Sequence, residues 1–129
     1  KETKRRIMLG TFALSSEFYE EFYVKAQKVR TYICHELTMA LDRIDLILAP
    51  VTADIAPKLG TKKSPVERYL ESFFVVLAPL AGLPALSLPS GHLADGMPIG
   101  LQLIGSAFSE PLLYQAGESV MALNSKESN

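Results

Sequence analysis

The first half of the chain carries a long amphipathic pattern. Between Ser15 and Ile44, apolar residues recur at steps of three and four, which places them on one stripe of a helix. The stripe consists of Phe18, Phe22, Ala26, Val29, Ile33, Leu37, Ala40 and Ile44. Either Ser15 or Ser16 can accept a hydrogen bond from a first-turn amide, and the glutamates that follow suit the positive end of the helix dipole. The pattern predicts one long helix that begins at these serines.

A short apolar run follows this helix. The run from Asp45 to Pro50 does not alternate between apolar and polar residues. Such a run is typical of a strand that is covered on both faces in a mostly parallel sheet. The next segment, residues 51–63, has no periodicity and contains Pro57, Gly60 and two adjacent lysines, so we predict a surface loop.

The clearest local signal is a helix start after this loop. Ser64 is placed to cap the helix, Pro65 occupies its first position, and Glu67 can reach back to the amide of the capping residue. The apolar stripe of this helix consists of Val66, Leu70, Phe73 and Leu77. We predict that the helix ends near Ala78, because Pro79 lacks an amide hydrogen and crowds the preceding turn.

The last third of the chain predicts a hairpin and a final helix. Two apolar runs, residues 85–88 and 98–104, flank the pair Asp95-Gly96, which suits the positive φ angles of a hairpin turn. The final helix is capped by the serine at position 109 and turns four apolar residues inward. These four residues are Leu112, Leu113, Ala116 and Val120.

The order of helix, strand, helix, hairpin and helix predicts an α/β layered fold over residues 1–123, with a partial sheet of about three strands. Residues 124–129 are polar, and we predict that they form a disordered tail.

Composition and charge exclude several classes of function. A chain of 129 residues that is 48% hydrophobic is long enough for one domain with its own core. Lysine and arginine number 13 against 14 acidic residues, so the chain lacks the basic field of a protein that binds nucleic acid directly. No apolar run reaches the ~18 residues of a membrane span, so we expect no membrane partner. The single cysteine, Cys34, excludes an internal disulfide and suits the cytoplasm.

Candidate catalytic and metal-binding residues are few. Cys34 and His35 are adjacent, so on a helix they point about 100° apart and cannot act together as nucleophile and base. His92 has no second histidine nearby in sequence, which disfavours a metal site, and no glycine-rich phosphate loop is present. Ser15 and Ser16 have no lysine placed to activate them. We therefore predict no catalytic residue, no metal and no cofactor in this chain.

Three segments together resemble one enzyme family. They are Lys4–Arg30, the motif Ala81-Gly82-Leu83-Pro84-Ala85, and the motif Pro98-Ile99-Gly100-Leu101-Gln102. In this order they resemble the amidase-signature enzymes and, within that family, the branch of amidotransferase A subunits that work with tRNA. The resemblance implies that residues 1–123 are the C-terminal portion of a mixed-sheet α/β/α layered fold. Since the chain has no initiator methionine, we expect it to begin within a longer protein or after processing.

The resemblance also implies an activity and partners. In the family, a serine nucleophile, a second serine in a cis peptide and a lysine cleave an amide, and we expect all three upstream of Lys1. In the tRNA branch the small amide is glutamine or asparagine, and the ammonia is delivered to an aminoacyl-tRNA in an assembly with B and C subunits. The resemblance therefore implies that this chain contributes sheet and one wall of the amide pocket, and that it is inactive in isolation.

Two positions align with substrate-binding positions of the family, one as a match and one as a departure. Arg6, in an Arg-Arg-Ile motif, matches the arginine that binds the α-carboxylate of glutamine. An alignment through Tyr69 and residues 80–84 places Ser72 where the family has an acid that holds the α-amino group. Glu71 is one position away and points about 100° around the helix, so it takes that role only if the helix rotates or the register shifts.

Two other functions fit the sequence. Ser72, together with a segment Pro50–Asp54 that departs from the family's usual Pro-Thr-x-Pro, favours another amidase of the family that acts on a different small amide without tRNA partners. The other alternative is a non-catalytic binding or assembly module. Stable folding of the chain alone, with weak or no amide binding, would favour that alternative.

Overall fold

The computed structural model describes residues 2–127. Its helical elements are α1 (Glu2–Ala13), a π-helical turn (Tyr19–Val24), α2 (Lys25–Leu41), α3 (Pro65–Glu71), α4 (Phe73–Ala81) and α5 (Glu110–Glu127). Its strands are β1 (Leu46–Pro50), β2 (Ala85–His92) and β3 (Pro98–Gly105). The predicted order of elements is confirmed, except that helix α1 precedes it and the second predicted helix is divided into α3 and α4.

The three strands form one antiparallel sheet in the order β1-β3-β2, with β3 in the centre. β1 pairs with β3 along its whole length, starting with Leu46 opposite Gly105. The prediction of a mostly parallel sheet around residues 45–50 is therefore wrong for the described strands. An apolar run indicates that a strand is buried, but it does not indicate whether the neighbouring strand runs parallel or antiparallel to it. Leu48 is 60% exposed, so the predicted cover on both faces is also wrong at this position.

β2 and β3 form the predicted hairpin. The amide of Leu93 donates to the carbonyl of Met97 (2.8 Å), and Gly96 adopts a φ of 83° that favours glycine. β2 continues beyond the predicted strand, because a bulge between Pro89 and Gly91 lets the pairing resume after the proline.

Helix α5 covers one face of the sheet. Leu88, Leu103 and Leu113 form a buried cluster there. The close approach depends on Gly117, since a Cβ at this position would lie 2.6 Å from a methyl carbon of Leu86. The residues at the border of the cluster are Leu46, Leu86, Ala116 and Val120. The predicted inward face of this helix is thus confirmed, except that the side chain at position 112 is exposed because position 113 occupies the centre of that face.

Helix α5 extends to Glu127. Residues 124–127 of the predicted disordered tail are therefore helical, and residues 128–129 lie outside the described residues. The side chain of Asn124 donates a hydrogen bond to the carbonyl of Pro89 (2.8 Å), which attaches this part of the helix to β2.

Helix α4 covers the opposite face of the sheet. Ile104 of β3 and Ala78 of α4 are both buried. Gln102 of β3 is only 6% exposed, and its Nε2 donates to the carbonyls of Pro50 (3.0 Å) and Phe74 (2.9 Å). One side chain therefore joins the central strand to the end of β1 and to the start of α4.

Helix α2 packs against α4 and forms an outer layer. Arg30 Nε donates to the carbonyl of Leu80 at the end of α4 (2.8 Å). The predicted apolar stripe is only partly buried by this contact, since Ile33 and Leu37 are half-buried whereas Val29 is 58% exposed. The succession of α5, sheet, α4 and α2 confirms the predicted α/β/α layered class.

The prediction of one helix over residues 15–44 is wrong at both ends. Ser15 Oγ donates to the carbonyl of Phe12 (2.7 Å), so this serine closes a turn after α1 instead of capping a helix start. The chain resumes with the π-helical turn, and α2 ends at Leu41. The ring centres of Phe12 and Phe18 lie 4.2 Å apart. The two helices are therefore joined by a turn that aromatic side chains pack across. The helical periodicity of the sequence does not reveal this packing.

The predicted capping box is confirmed. Ser64 Oγ accepts from the amide of Glu67 (3.2 Å), and the carboxylate of Glu67 accepts from the amide of Ser64 (2.6 Å). The predicted end near residue 78 is wrong, because α4 continues through Pro79. The helix ends instead at Ala81 and is capped by Gly82, whose φ of 70° lets the amides of residues 82 and 83 reach the carbonyl of Ala78.

Replacing Gln102 by leucine should lower the free energy of unfolding by about 1–3 kcal/mol. Leucine keeps most of the side-chain volume but leaves two backbone carbonyls without their donor. Urea denaturation followed by circular dichroism measures the change, and Gln115→Leu on the exposed side of α5 is the matched control. Equal midpoints for the two variants would contradict this prediction.

Candidate functional site

Arg6, the predicted carboxylate-binding residue, lies on α1 within a cluster of charges. Oε1 of Glu2 accepts hydrogen bonds from Arg5 Nη2 (2.7 Å) and Arg6 Nε (3.2 Å). From α3, Arg68 Nη1 lies 3.6 Å from Glu2 Oε2. Three guanidinium groups thus surround one carboxylate, and we term these four residues the arginine cluster.

Tyr69 of α3 connects the arginine cluster with the second predicted site residue. Cζ of Arg6 lies 5.2 Å from the centre of the Tyr69 ring and Cζ of Arg5 lies 5.9 Å from it, which are distances of cation–π contact. Ser72 follows one turn later, and its Oγ donates to the carbonyl of Tyr69 (3.0 Å). The structure therefore brings both predicted residues, Arg6 and Ser72, into contact with Tyr69.

Ser72 interrupts the helix predicted over residues 64–78 and separates α3 from α4. Its hydroxyl bonds back to the carbonyls of Arg68 (3.5 Å) and Tyr69, so the side chain competes with the helical hydrogen bonds of that turn. These bonds use the hydroxyl proton and leave the oxygen lone pairs available. Ser72 can therefore accept a hydrogen bond from a ligand ammonium but offers it no charge.

Glu71 faces a different part of the surface. It forms an ion pair with Lys63 and lines a cavity of about 480 Å³. The loop at residues 52–57 and the hairpin supply the rest of the lining, which includes neither Arg6 nor Ser72. The structure therefore separates Glu71 from the residues around Arg6.

Sequence reasoning missed the cavity and Arg68. The cavity lies between a loop whose sequence has no periodicity and a hairpin that is separated from that loop by two helices. Local sequence patterns do not bring these two segments together. Arg68 could have been found by spacing, because it lies four residues before Ser72 and residues at that interval share one face of a helix.

Two carboxylates in this region have lowered pKa values. The hydrogen bond from Arg5 lowers the pKa of Glu2, and Arg6 adds to the effect. The hydrogen bond from the backbone amide of Ser64 lowers the pKa of Glu67. Both carboxylates are therefore ionised at neutral pH.

The remaining candidate residues do not form a reactive pair. Cys34 Sγ contacts a backbone carbonyl of α4 at 3.7 Å, His35 Nδ1 lies 3.8 Å from the carboxylate of Glu36, and His92 is exposed. Within residues 2–127, no three histidine, cysteine or acidic side chains are grouped to hold a metal ion. In the same part of the chain, no helix has both the length and the hydropathy that crossing a membrane requires.

Comparison with known proteins identifies the family. The sequence profile of the amidase family matches residues 1–114. This chain belongs to the amidase family, and the resemblance described from its motifs is confirmed.

Its relatives include the amidotransferase chains that the motifs resemble. The chain is 48% identical over 124 residues to the A subunit of glutamyl-tRNA(Gln) amidotransferase of Neisseria meningitidis serogroup A, with 96% of this chain and 26% of the relative covered. The crystal structure of the A subunit of glutamyl-tRNA(Gln) amidotransferase from Thermotoga maritima matches with 42% identity and a TM-score of 0.71, covering 88% of this chain and 25% of that one. A crystal structure of an amidase matches with 28% identity and a TM-score of 0.74, covering 95% of this chain and 28% of that one. The chain thus spans about a quarter of the length of the curated relatives it matches.

The contribution of Glu67 to stability should depend on pH. Because folding lowers its pKa, the stabilisation is fully present above the ordinary glutamate pKa of about 4.3 and is lost as the pH falls through the lower folded value. In an NMR titration, the amide proton of Ser64 should move upfield with a midpoint below about pH 4.3. The same proton should not titrate in Glu67→Gln. A midpoint at or above the ordinary value would contradict the prediction.

Proposed function

We propose that this chain is the C-terminal portion of a glutamine-dependent aminoacyl-tRNA amidotransferase A subunit, which hydrolyses an amide to release ammonia for transamidation. The observation that carries the proposal is the 48% identity to such a protein over 96% of the chain. The placement of Arg6 supports it, because a guanidinium group binds a carboxylate through strong charge-assisted hydrogen bonds.

In this proposal the chain supplies part of the sheet and one wall of the amide pocket. Arg6 binds the α-carboxylate of glutamine or asparagine, and Ser72 accepts a hydrogen bond from the α-amino group. The catalytic serines and lysine come from another part of the protein, so this chain does not catalyse alone. The partners are B and C subunits, other parts of the assembly hold the tRNA, and the protein works in the cytoplasm.

A chimera tests the proposal. Residues 1–123 replace the corresponding segment of the Neisseria meningitidis relative, and the chimera is combined with the partner subunits of that relative. We expect glutamine hydrolysis and glutamine-dependent amidation of glutamyl-tRNA(Gln), whereas the 129-residue chain alone should hydrolyse no glutamine above the buffer rate. A chimera that folds and assembles without using glutamine, or an isolated chain that turns it over, would refute the proposal.

One observation favours a second function. Ser72 brings no charge to offset the desolvation of a substrate ammonium, and Arg68 adds a positive charge one turn earlier on the same helix. Both features favour an amidase that acts on a small amide without an α-amino group. The arrangement of Arg6 and Tyr69 is compatible with either function, because an amide of either kind can carry a carboxylate.

The preference of the unmodified chimera distinguishes the two functions. A higher kcat/KM for glutamine than for glutaramate, which is glutamine without its α-amino group, supports the amidotransferase, and the reverse supports the second function. Ser72→Asp then tests the role of position 72. An aspartate offers both a hydrogen bond and a charge, so kcat/KM for glutamine should improve by about 1–3 kcal/mol, or roughly 5- to 150-fold. Glutaramate should be used equally well or less well. Steady-state kinetics measures both substrates, with Ser72→Asn as the uncharged control.

Efficient glutamine use by the unmodified chimera, with no gain from Ser72→Asp, would show that another group holds the ammonium. Glu71 or a residue outside this chain would then take that role, and the placement of Ser72 in the pocket would be wrong.

A further inference from the structure

The arginine cluster contains more positive charge than its own carboxylate neutralises. Three guanidinium groups meet at Glu2. The other acids of α3 are engaged elsewhere, since Glu67 accepts from the amide of Ser64 and Glu71 pairs with Lys63. Glu2 therefore leaves two of the three positive charges uncompensated.

The cluster also contains a buried donor without an acceptor. Arg5 Nε is buried and makes no hydrogen bond within residues 2–127. Buried polar groups are nearly always hydrogen-bonded, so an orphaned donor in a positively charged cluster points to an additional acceptor. The Tyr69 ring holds the guanidinium groups of Arg5 and Arg6 in place. These side chains therefore lose less conformational entropy when a ligand binds.

We propose that, at the carboxylate-binding position proposed for Arg6, Glu2 is an internal competitor that a ligand carboxylate displaces, and that Arg68 is a further binding residue. The ligand carboxylate takes the place of Glu2 between the guanidinium groups, whose paired N–H donors match the two carboxylate oxygens. The proposal rests on the proposed function where the ligand is the amide substrate, and it adds Glu2 and Arg68 as residues that set affinity.

A purely structural role for the cluster predicts a different result. If the ion pairs only fasten α1 to α3, then removing the charge of Glu2 loosens α1 and weakens carboxylate binding. If Glu2 is a competitor, the same substitution strengthens binding. Removing the charge of Arg68 weakens carboxylate binding under either hypothesis, because it removes a ligand-binding group in one and an ion pair between α1 and α3 in the other. The signs of the two effects are therefore opposite under the proposal and equal under the structural alternative.

The test is a titration of the 129-residue chain with glutaramate, followed by NMR chemical shifts. This probe carries a carboxylate and an amide but no ammonium, so its binding does not depend on Ser72. Glu2→Gln should raise the affinity roughly two- to fivefold, and Arg68→Gln should lower it by a similar factor, as expected for exposed ion pairs. Arg68→Lys should retain part of the affinity, because it keeps the charge but loses the planar fork.

Two controls accompany the titration. Arg43→Gln removes a guanidinium outside the cluster and should leave the affinity unchanged. Pentanediamide, which has no carboxylate, should not respond to any of the substitutions. The methyl signals of Leu88 and Leu103 show whether each variant keeps its core.

An unchanged or lower affinity in folded Glu2→Gln would overturn the proposal, as would a loss in Arg68→Gln no larger than in Arg43→Gln. If Glu2→Gln does not fold, the comparison of Arg68→Gln, Arg68→Lys and Arg43→Gln decides. The titration involves no catalysis, so a failure of the expected Glu2 and Arg68 effects leaves the role of Arg6 and the proposed function intact. An inactive chimera, in turn, does not affect the carboxylate site.

Discussion

The buried amide of Gln102 holds the layers of this domain in one arrangement. Its two N–H groups are donated to two backbone carbonyls, that of Pro50 at the end of β1 and that of Phe74 at the start of α4. Gln102 lies on the central strand, so it sets the position of an edge strand and of a helix together. A buried polar group is costly when it is unpaired. Helix α4 therefore cannot slide along the sheet without a loss of stability.

The surfaces that carry the candidate chemistry take their positions from this interaction. Phe74 follows Ser72 by two residues, so the bond to its carbonyl sets the position, relative to the sheet, of the break between α3 and α4. Tyr69 lies one turn before that break, with the arginine cluster beside it. At the other end, Pro50 precedes the loop that lines the cavity next to Glu71. One side chain thus orients a positively charged surface and a separate cavity that contains an acid.

The features that the sequence predicted correctly depend on near neighbours in the chain. The capping box at Ser64 and the hairpin turn at Gly96 are decided by backbone geometry and partners within a few residues. The direction of β1 and the turn at Ser15 depend on distant strands and aromatic packing, which local patterns do not encode. The acceptors of Gln102 lie 52 and 28 residues away in sequence. Arg6 and Ser72 were found only through the family resemblance. Spacing alone identifies Arg6 as part of a basic cluster and Ser72 as a serine on a helix, and it does not indicate that either binds a substrate.

The two acceptors of Gln102 are backbone carbonyls, which every amino acid carries. The side chains at positions 50 and 74 can therefore diverge during evolution without loss of these hydrogen bonds. Position 102 has no such freedom, because asparagine is one methylene too short and glutamate has no hydrogen to donate at neutral pH. For the join of β3 to β1 and α4, selection therefore acts on the side chain at position 102, because the two carbonyls that accept its hydrogen bonds do not depend on the side chains beside them.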